Sequence, residues 1–409
     1  MEPSGIQELE AERKVSTEAT RARVADRPLR ILHVITRLQQ GGTEYGILKV
    51  TSGLNDGQFV HAICTTRGSE QDASSLASAS ATIFSAGTER ARRQLLIPSL
   101  RRVMQSYKPD IVHSRNWGTI EAVAAARFTG VPVIIHSEHG YELDMLGGLP
   151  LRRRVLRRIA YAMSDCVFAV SAELRDFHAR QAWISPARIR VVPNGVNAEK
   201  FRPRPEGKAL IRKELGIPEC AFLVGSVGRL VPIKDYPTLL HATHRLVLRG
   251  QDARVALAGT GPELENLQKL AGSLPELRER AHFLGASDRI PDFLNALDVF
   301  VVSSISEGMS NSLLEAMASG LPVVVSRTGS NPELVEEGVS GLLFNPGDVE
   351  GLTAGLQRLL GDAELRSRTG SSARKRVLER FRVETMLGNY RRLYLELAAR
   401  SALLRDGAS

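Results

Sequence analysis

The feature that most constrains this chain is an alternation of short apolar runs with longer amphipathic ones, which stops once and then restarts. "LRILHVI" (29–35) is strand-length and apolar almost throughout, and "QQGGTEYGILKVTSGL" after it is a glycine turn opening a helix. "FVHAICTT", "DIVHS" (110–114), "VPVIIHSE" (131–138), "DCVFAVS" (165–171) and "IRVVP" (189–193) repeat the strand pattern with helical runs between them. Strands that are apolar on both faces and alternate with helices belong to a parallel sheet covered on each side. Near residue 194 the pattern breaks at "PNGVNAEKFRPRPEG", whose prolines and glycines are turn and linker material. It resumes with "AFLVGSVG" (221–228), "RVALAGTG" (254–261), "AHFLGA", "DVFVVSS" and "LPVVVS".

A chain of 409 residues is too long for one ordinary core. The reading is α/β: a tail over 1–28, a parallel-sheet domain over 29–200, a second over 201–384, and a last segment, 385–409, whose helix crosses back to the first domain. Tyr390, Leu393, Tyr394 and Leu397 are its apolar face. Ligands of such sheets sit at the carboxyl ends of the strands, so two facing sheets define a cleft between the domains.

Composition narrows the function classes. No apolar run approaches the roughly 18 residues of a membrane-spanning helix, and the mixed-charge start lacks the apolar centre of a secretory signal. Cys64, Cys166 and Cys220 are far apart and lie in strand-like runs, which reads as buried thiols in a reducing, cytoplasmic setting. The net charge of +9 is uneven, with 27 basic and 20 acidic residues in the first 200. No zinc-finger spacing or aromatic-rich sheet signature accompanies that charge, so nucleic acid is not the expected partner. An anionic substrate or an anionic membrane surface remains.

Two stretches carry chemistry. "GSVGRLVPIKDYPTLLHA" places Gly225 and Gly228 at a strand end, followed by Arg229 and Lys234, where backbone amides and two cations suit a phosphate. Neither G-x-G-x-x-G nor G-x-x-x-x-G-K-[ST] is met there. "ISEGMSNSLLEAMASGLPVVVS" puts Glu307 on a loop and Glu315 on the helix that follows, with the helix expected to start near Ser312. Two carboxylates beside free helix amides suit a hydroxyl-rich ligand. Ser312 and Glu315 also match a capping box, a purely structural alternative.

The segment "SEGMSNSLLEAMASGLPVV" resembles the E-x7-E element of the retaining glycosyltransferases of family 4, which have the GT-B fold of two Rossmann-like domains facing across a cleft. "GRLVPIKD", "GTGPELENL", "HFLGASDRIPDFLNALDVFVVSS", "PNGVNAEKF" and "GGTEYGILKV" are similar to further family segments in the same order, over residues 29 to 400. The resemblance implies that Arg229 and Lys234 hold a donor diphosphate. Glu315 would bind the ribose, Leu284 lies in the base-contacting segment, and Glu307 would bind the transferred sugar. Gly228, the amides of Gly308, Met309, Ser310 and Asn311, and the loop glycines Gly41 and Gly42 would approach the donor. His139 matches the family's active-site histidine, and His113 and Asn116 are acceptor-side candidates. Many relatives carry an aromatic residue and a second glycine where this chain has Met309 and Ser310.

The chain contains no Asp-x-Asp, the pair that holds a metal on a diphosphate. The expectation is a metal-free grip and no cofactor beyond a nucleotide-diphosphate sugar. The family's mechanism implies attack on the face the leaving group departs from, with the leaving phosphate taking the acceptor proton. "VHSRNW" and "SNPELV" are most similar to sugar transferases of bacterial exopolysaccharide clusters, which implies a lipid-linked or glycan acceptor. "MLGGLPLRRRVLRRIAYAM" sets Leu149, Leu151, Val155 and Ile159 among five arginines, the pattern of a helix lying on an anionic membrane at the inner leaflet. The alternative is that its apolar edge is core. Rival functions are a GT-B-like nucleotide-sugar 2-epimerase and a non-catalytic sugar-binding relative.

Overall fold

The computed structural model describes residues 27–38, 42–68, 81–87, 96–141 and 148–406. Among them, seven strands form one parallel sheet: β1 (Leu29–Ile35), β2 (Phe59–Thr65), β3 (Ala81–Ser85), β4 (Ile111–Arg115), β5 (Val133–Glu138), β6 (Cys166–Ala169) and β7 (Ile189–Val191). Six more form a second: β8 (Phe222–Val227), β9 (Ala253–Ala258), β10 (Ala281–Gly285), β11 (Val299–Val302), β12 (Val323–Ser326) and β13 (Leu342–Phe344). The orders are β3-β2-β1-β4-β5-β6-β7 and β10-β9-β8-β11-β12-β13. The winding therefore reverses between β1 and β4 in one sheet and between β8 and β11 in the other. A ligand crevice opens at such a reversal, because the loops on its two sides run apart.

Both faces of the central strands are buried, as their uninterrupted apolar runs require, while the edge strands β3, β7 and β10 are partly exposed. Val299, Phe300, Val301, Val323, Val324 and Val325 are all inaccessible, and each such side chain contributes about 1.5–3 kcal/mol by leaving water. β3 and β13 do not stand out in the sequence: "ATIFS" follows a run of alanines and serines, and "LLF" is three residues long. Cys64 and Cys166 are buried, whereas Cys220 is exposed in the turn before β8.

The segments joining the sheets run side by side. Val196 bridges Arg382, with the Val196 amide on Phe381 O at 2.9 Å and the Val383 amide on Val196 O at 2.9 Å. The helix Val383–Asp406 then lies on the first sheet. Met386, Tyr390, Leu393, Tyr394 and Leu397 pack there with Ile31, Phe59, Ile111, Ile135 and Phe168.

The arginine-rich helix Leu151–Met163 buries Arg157, Ala160 and Tyr161 and exposes its apolar ridge. Leu151, Val155 and Ile159 are 67%, 40% and 49% exposed, so that ridge is not core; Leu149 just before the helix is buried. The arginines are less available than the sequence implies. Arg153 stacks over Trp117, Arg154 over Trp183, and Arg157 is enclosed beside Glu138 at 3.4 Å. Arg154 and Arg158 also donate to carbonyls at the end of the neighbouring helix Ala172–Ala182.

Candidate active site

The cleft is assembled from the loops that follow β1, β4, β5, β8 and β11, which are the strands flanking the two reversals. After β8, Arg229 is exposed and Lys234 closes a short 3-10 turn, Pro232–Lys234. Lys234 Nζ lies 2.5 Å from Glu307 Oε2 on the loop after β11. The same oxygen accepts from Ser304 Oγ at 3.0 Å, and Ser303 Oγ donates to Lys234 O at 2.8 Å. Glu307 is thus held at one oxygen, leaving the other for a ligand hydroxyl. Gly329 fixes the loop from behind: its φ is +52°, and a Cβ there would strike Glu307 O.

The helix after this loop starts one residue earlier than the sequence suggests. It spans Asn311–Ala318 and is capped by Ser310, whose Oγ accepts from the Leu313 amide at 3.2 Å. That start removes the capping-box reading of Glu315, which falls in the second turn. Glu315 instead faces Lys49 and Lys200, and burial raises its carboxyl to about 7 against the pull of those two cations. Burial likewise lowers Lys49, whose Nζ donates to Gly195 O at 2.9 Å.

The other expected donor contacts divide. Ser310 is buried and spends its hydroxyl on the cap. Met309 is buried too, with its sulfur accepting from the Asn194 amide at 3.1 Å and its carbonyl from Asn194 Nδ2 at 3.3 Å. Their side chains are thus taken up by the cap and the hinge, which leaves the expectation for their backbone amides as it was. Leu284 is half-buried at the end of β10. Gly228 lies beside Lys234 and Tyr236. Gly42 is the first residue of the helix Gly42–Gly53, while Gly41 lies outside the described residues.

The first domain reaches this site at three points. Gly42 O accepts from Asn311 Nδ2 at 3.0 Å. The backbone at His139 and Gly140 lies against Gly308 so closely that a Cβ on Gly308 would collide with it. Glu44 faces Arg229 across the gap; burial raises its carboxyl while the arginine opposes the shift. Farther out, Glu333 accepts from the amides of Ala172 and Glu173 at 3.1 and 2.7 Å, fastening the second domain to the start of the helix Ala172–Ala182.

His139 itself is held by Asn116, whose Oδ1 accepts from the His139 amide at 2.7 Å. Its Nε2 contacts Ser137 Oγ at 2.8 Å, Ser137 Oγ contacts His113 Nε2 at 2.9 Å, and His113 Nδ1 contacts Tyr394 OH at 3.0 Å. Burial, reinforced by the enclosed Arg115 guanidinium, lowers His139 to about 3, so the ring is neutral at ordinary pH. His113 corrects the sequence expectation. It sits within β4 with no accessible surface and supports the site from beneath rather than facing an acceptor. Asn116 positions His139. Sequence reasoning passed over Glu44, Lys49 and Ser137; their cue is position, since Glu44 and Lys49 lie on the helix that follows β1 and Ser137 is next to last in β5.

Comparison with known proteins agrees with this geometry. A family model described as Glycosyltransferase Family 4 matches residues 40–200, and one described as Glycosyl transferases group 1 matches residues 207–376. The chain is 28% identical over 305 residues to the UDP-Gal:alpha-D-GlcNAc-diphosphoundecaprenol alpha-1,3-galactosyltransferase of Escherichia coli, covering 73% of this chain and 78% of that protein. It is 32% identical over 270 residues to the GDP-mannose-dependent alpha-(1-6)-phosphatidylinositol monomannoside mannosyltransferase of Mycobacterium tuberculosis (strain ATCC 25618 / H37Rv), covering 64% of this chain and 69% of that protein. The crystal structure of Anabaena HepE in complex with UDP and glucose has the same fold, with a TM-score of 0.75 at 22% identity over 90% of this chain and 99% of that one.

Proposed function

The chain belongs to the family 4 glycosyltransferases of GT-B fold, and from that premise we propose that it moves a sugar from a nucleotide-diphosphate donor to a lipid-linked glycan acceptor, with retention of configuration and without a metal ion. The observation that carries this reading is the convergence of Arg229, Lys234, Glu307 and the Ser310-capped helix start at one winding reversal. A diphosphate at the ends of β8 and β11 would meet two cations and free helix amides, which stabilise the charge that grows as the glycosidic bond breaks. Glu315 would take the ribose hydroxyls and Glu307 those of the sugar. The half-buried, neutral His139, whose backbone lies against Gly308 across the cleft, would accept or donate one hydrogen bond at the sugar without adding charge.

Among the described residues, the two hydroxyls bonded to a base at the site, Ser137 on His139 and Ser304 on Glu307, are both buried, so neither is placed as a nucleophile. That arrangement favours attack by the acceptor on the leaving-group face, with the departing phosphate receiving its proton. The two curated relatives compared above take nucleotide sugars and lipid-bearing acceptors by name. An acceptor of that kind fits the exposed ridge of Leu151, Val155 and Ile159, and the enzyme would then work as a peripheral protein on the cytoplasmic leaflet. The test is transfer from a panel of nucleotide sugars to a diphospholipid-linked sugar in excess chelator. The expected product keeps the donor's anomeric configuration by NMR; an inverted anomer, or transfer only with magnesium or manganese, would overturn the mechanism.

A further inference from the structure

A cavity of about 250 Å³ lies at the amino ends of β6 and β7, at the opposite end of the first sheet from the cleft. Arg158, Arg188 and Arg190 line it, together with Ser164, Asp165 and Ile184. Two of the three arginines are already engaged: Arg190 pairs with Glu396 at 2.7 Å, and Arg158 donates to carbonyls at the end of the helix Ala172–Ala182. Arg188 is exposed and makes no ion pair among the described residues. The lining carries three positive charges against the single carboxylate of Asp165.

The cavity adjoins the exposed apolar ridge. Arg158 and Ala162 line it from the helix Leu151–Met163, and they lie three residues past Val155 and Ile159, on the same side of that helix. On the other wall, Ile184 follows Trp183, which is 44% exposed. A surface that seats Leu151, Val155, Ile159 and Trp183 at the edge of a bilayer therefore brings the cavity mouth to the depth of the headgroups.

We infer that this cavity binds the phosphoglycerol headgroup of an anionic phospholipid. Arg188 and Arg158 take the phosphate, which a guanidinium can grip at two oxygens. Ser164, whose hydroxyl donates to Ala160 O at 2.9 Å, and Asp165, engaged by the Ile134 amide at 2.8 Å and by Arg127 at 3.5 Å, keep oxygen lone pairs for the glycerol hydroxyls. The inference rests on the peripheral-membrane reading and adds to it a preference among lipids of equal charge.

The test is co-sedimentation of the full chain with phosphatidylcholine vesicles carrying equal mole fractions of either phosphatidylglycerol or phosphatidylserine. The wild type should bind phosphatidylglycerol vesicles about fivefold more tightly than phosphatidylserine vesicles. Arg188→Gln should abolish that difference while keeping charge-dependent binding and an unchanged melt. Joint Leu151→Ser and Val155→Ser should weaken binding to both vesicles alike. Equal binding of wild type to the two lipids, or a preference that survives Arg188→Gln, overturns the headgroup site and leaves membrane docking standing. No binding to either vesicle at low salt overturns both.

Discussion

At the residue scale, the site sets ionisable groups where burial and opposite charge compete. Glu315 is the clearest case, because burial raises it to about 7 although Lys49 and Lys200 oppose the shift. A carboxyl raised in the folded state holds its proton more tightly than it does in the unfolded chain. The stability this gives is fully present below the ordinary carboxylate range and is lost as pH rises through about 7. Glu315→Gln should therefore melt higher than the wild type at about pH 8, with the gap closing towards about pH 5. Binding of a nucleoside diphosphate should move the other way. Calorimetric affinity should tighten as pH rises through about 7 in the wild type, because the carboxylate is the better acceptor of ribose hydroxyls, and stay flat in Glu315→Gln. A wild-type affinity independent of pH across that range would remove Glu315 from the nucleotide site.

At the scale of elements, the helix Val383–Asp406 matters most. It leaves the second domain and completes the core of the first, with Tyr394 inaccessible and bonded to His113. Tyr394→Phe should cost about 0.5–1.5 kcal/mol in urea unfolding, and Tyr394→Ala about 3–5 kcal/mol through the cavity it leaves. Equal, small losses in both would mean the helix is only draped on the sheet. The apolar spacing of Tyr390, Leu393, Tyr394 and Leu397 is legible in the sequence, as are the strands with continuous β-branched runs. β3 and β13 are not: Ala81–Ser85 runs on from alanines and serines that blur its start, and Leu342–Phe344 is three apolar residues with no alternation. The start of the site helix is misread for a different reason: three successive cap-forming residues, Ser310, Asn311 and Ser312, compete for one role, and only the bond from Leu313 to Ser310 decides it. His113 shows a third limit. A strand-end motif gives the position of a histidine but not the face it is on, and the Tyr394 that turns it inward is 281 residues away.

At the scale of the whole molecule, the two domains meet through a few specific ties: Asn311 to Gly42, Gly308 against His139 and Gly140, and Glu333 on the helix that starts at Ala172. Around them Arg229 of the second domain faces Glu44 of the first and Glu315 of the second faces Lys49 of the first, so the proposed donor site draws on both domains. Lys234 is the hub, since it borders the expected diphosphate and also fixes Glu307. The most direct measurement is donor turnover and nucleoside-diphosphate affinity in Arg229→Ala and Lys234→Ala beside the wild type, with melts to check the fold. Each substitution should leave the melt nearly unchanged and lower kcat/KM by the equivalent of about 1.5–3 kcal/mol, roughly ten- to over a hundredfold, with nucleotide affinity falling too. Near-normal turnover and affinity in both variants would contradict the account, because the diphosphate would then have to be held somewhere other than the reversal between β8 and β11.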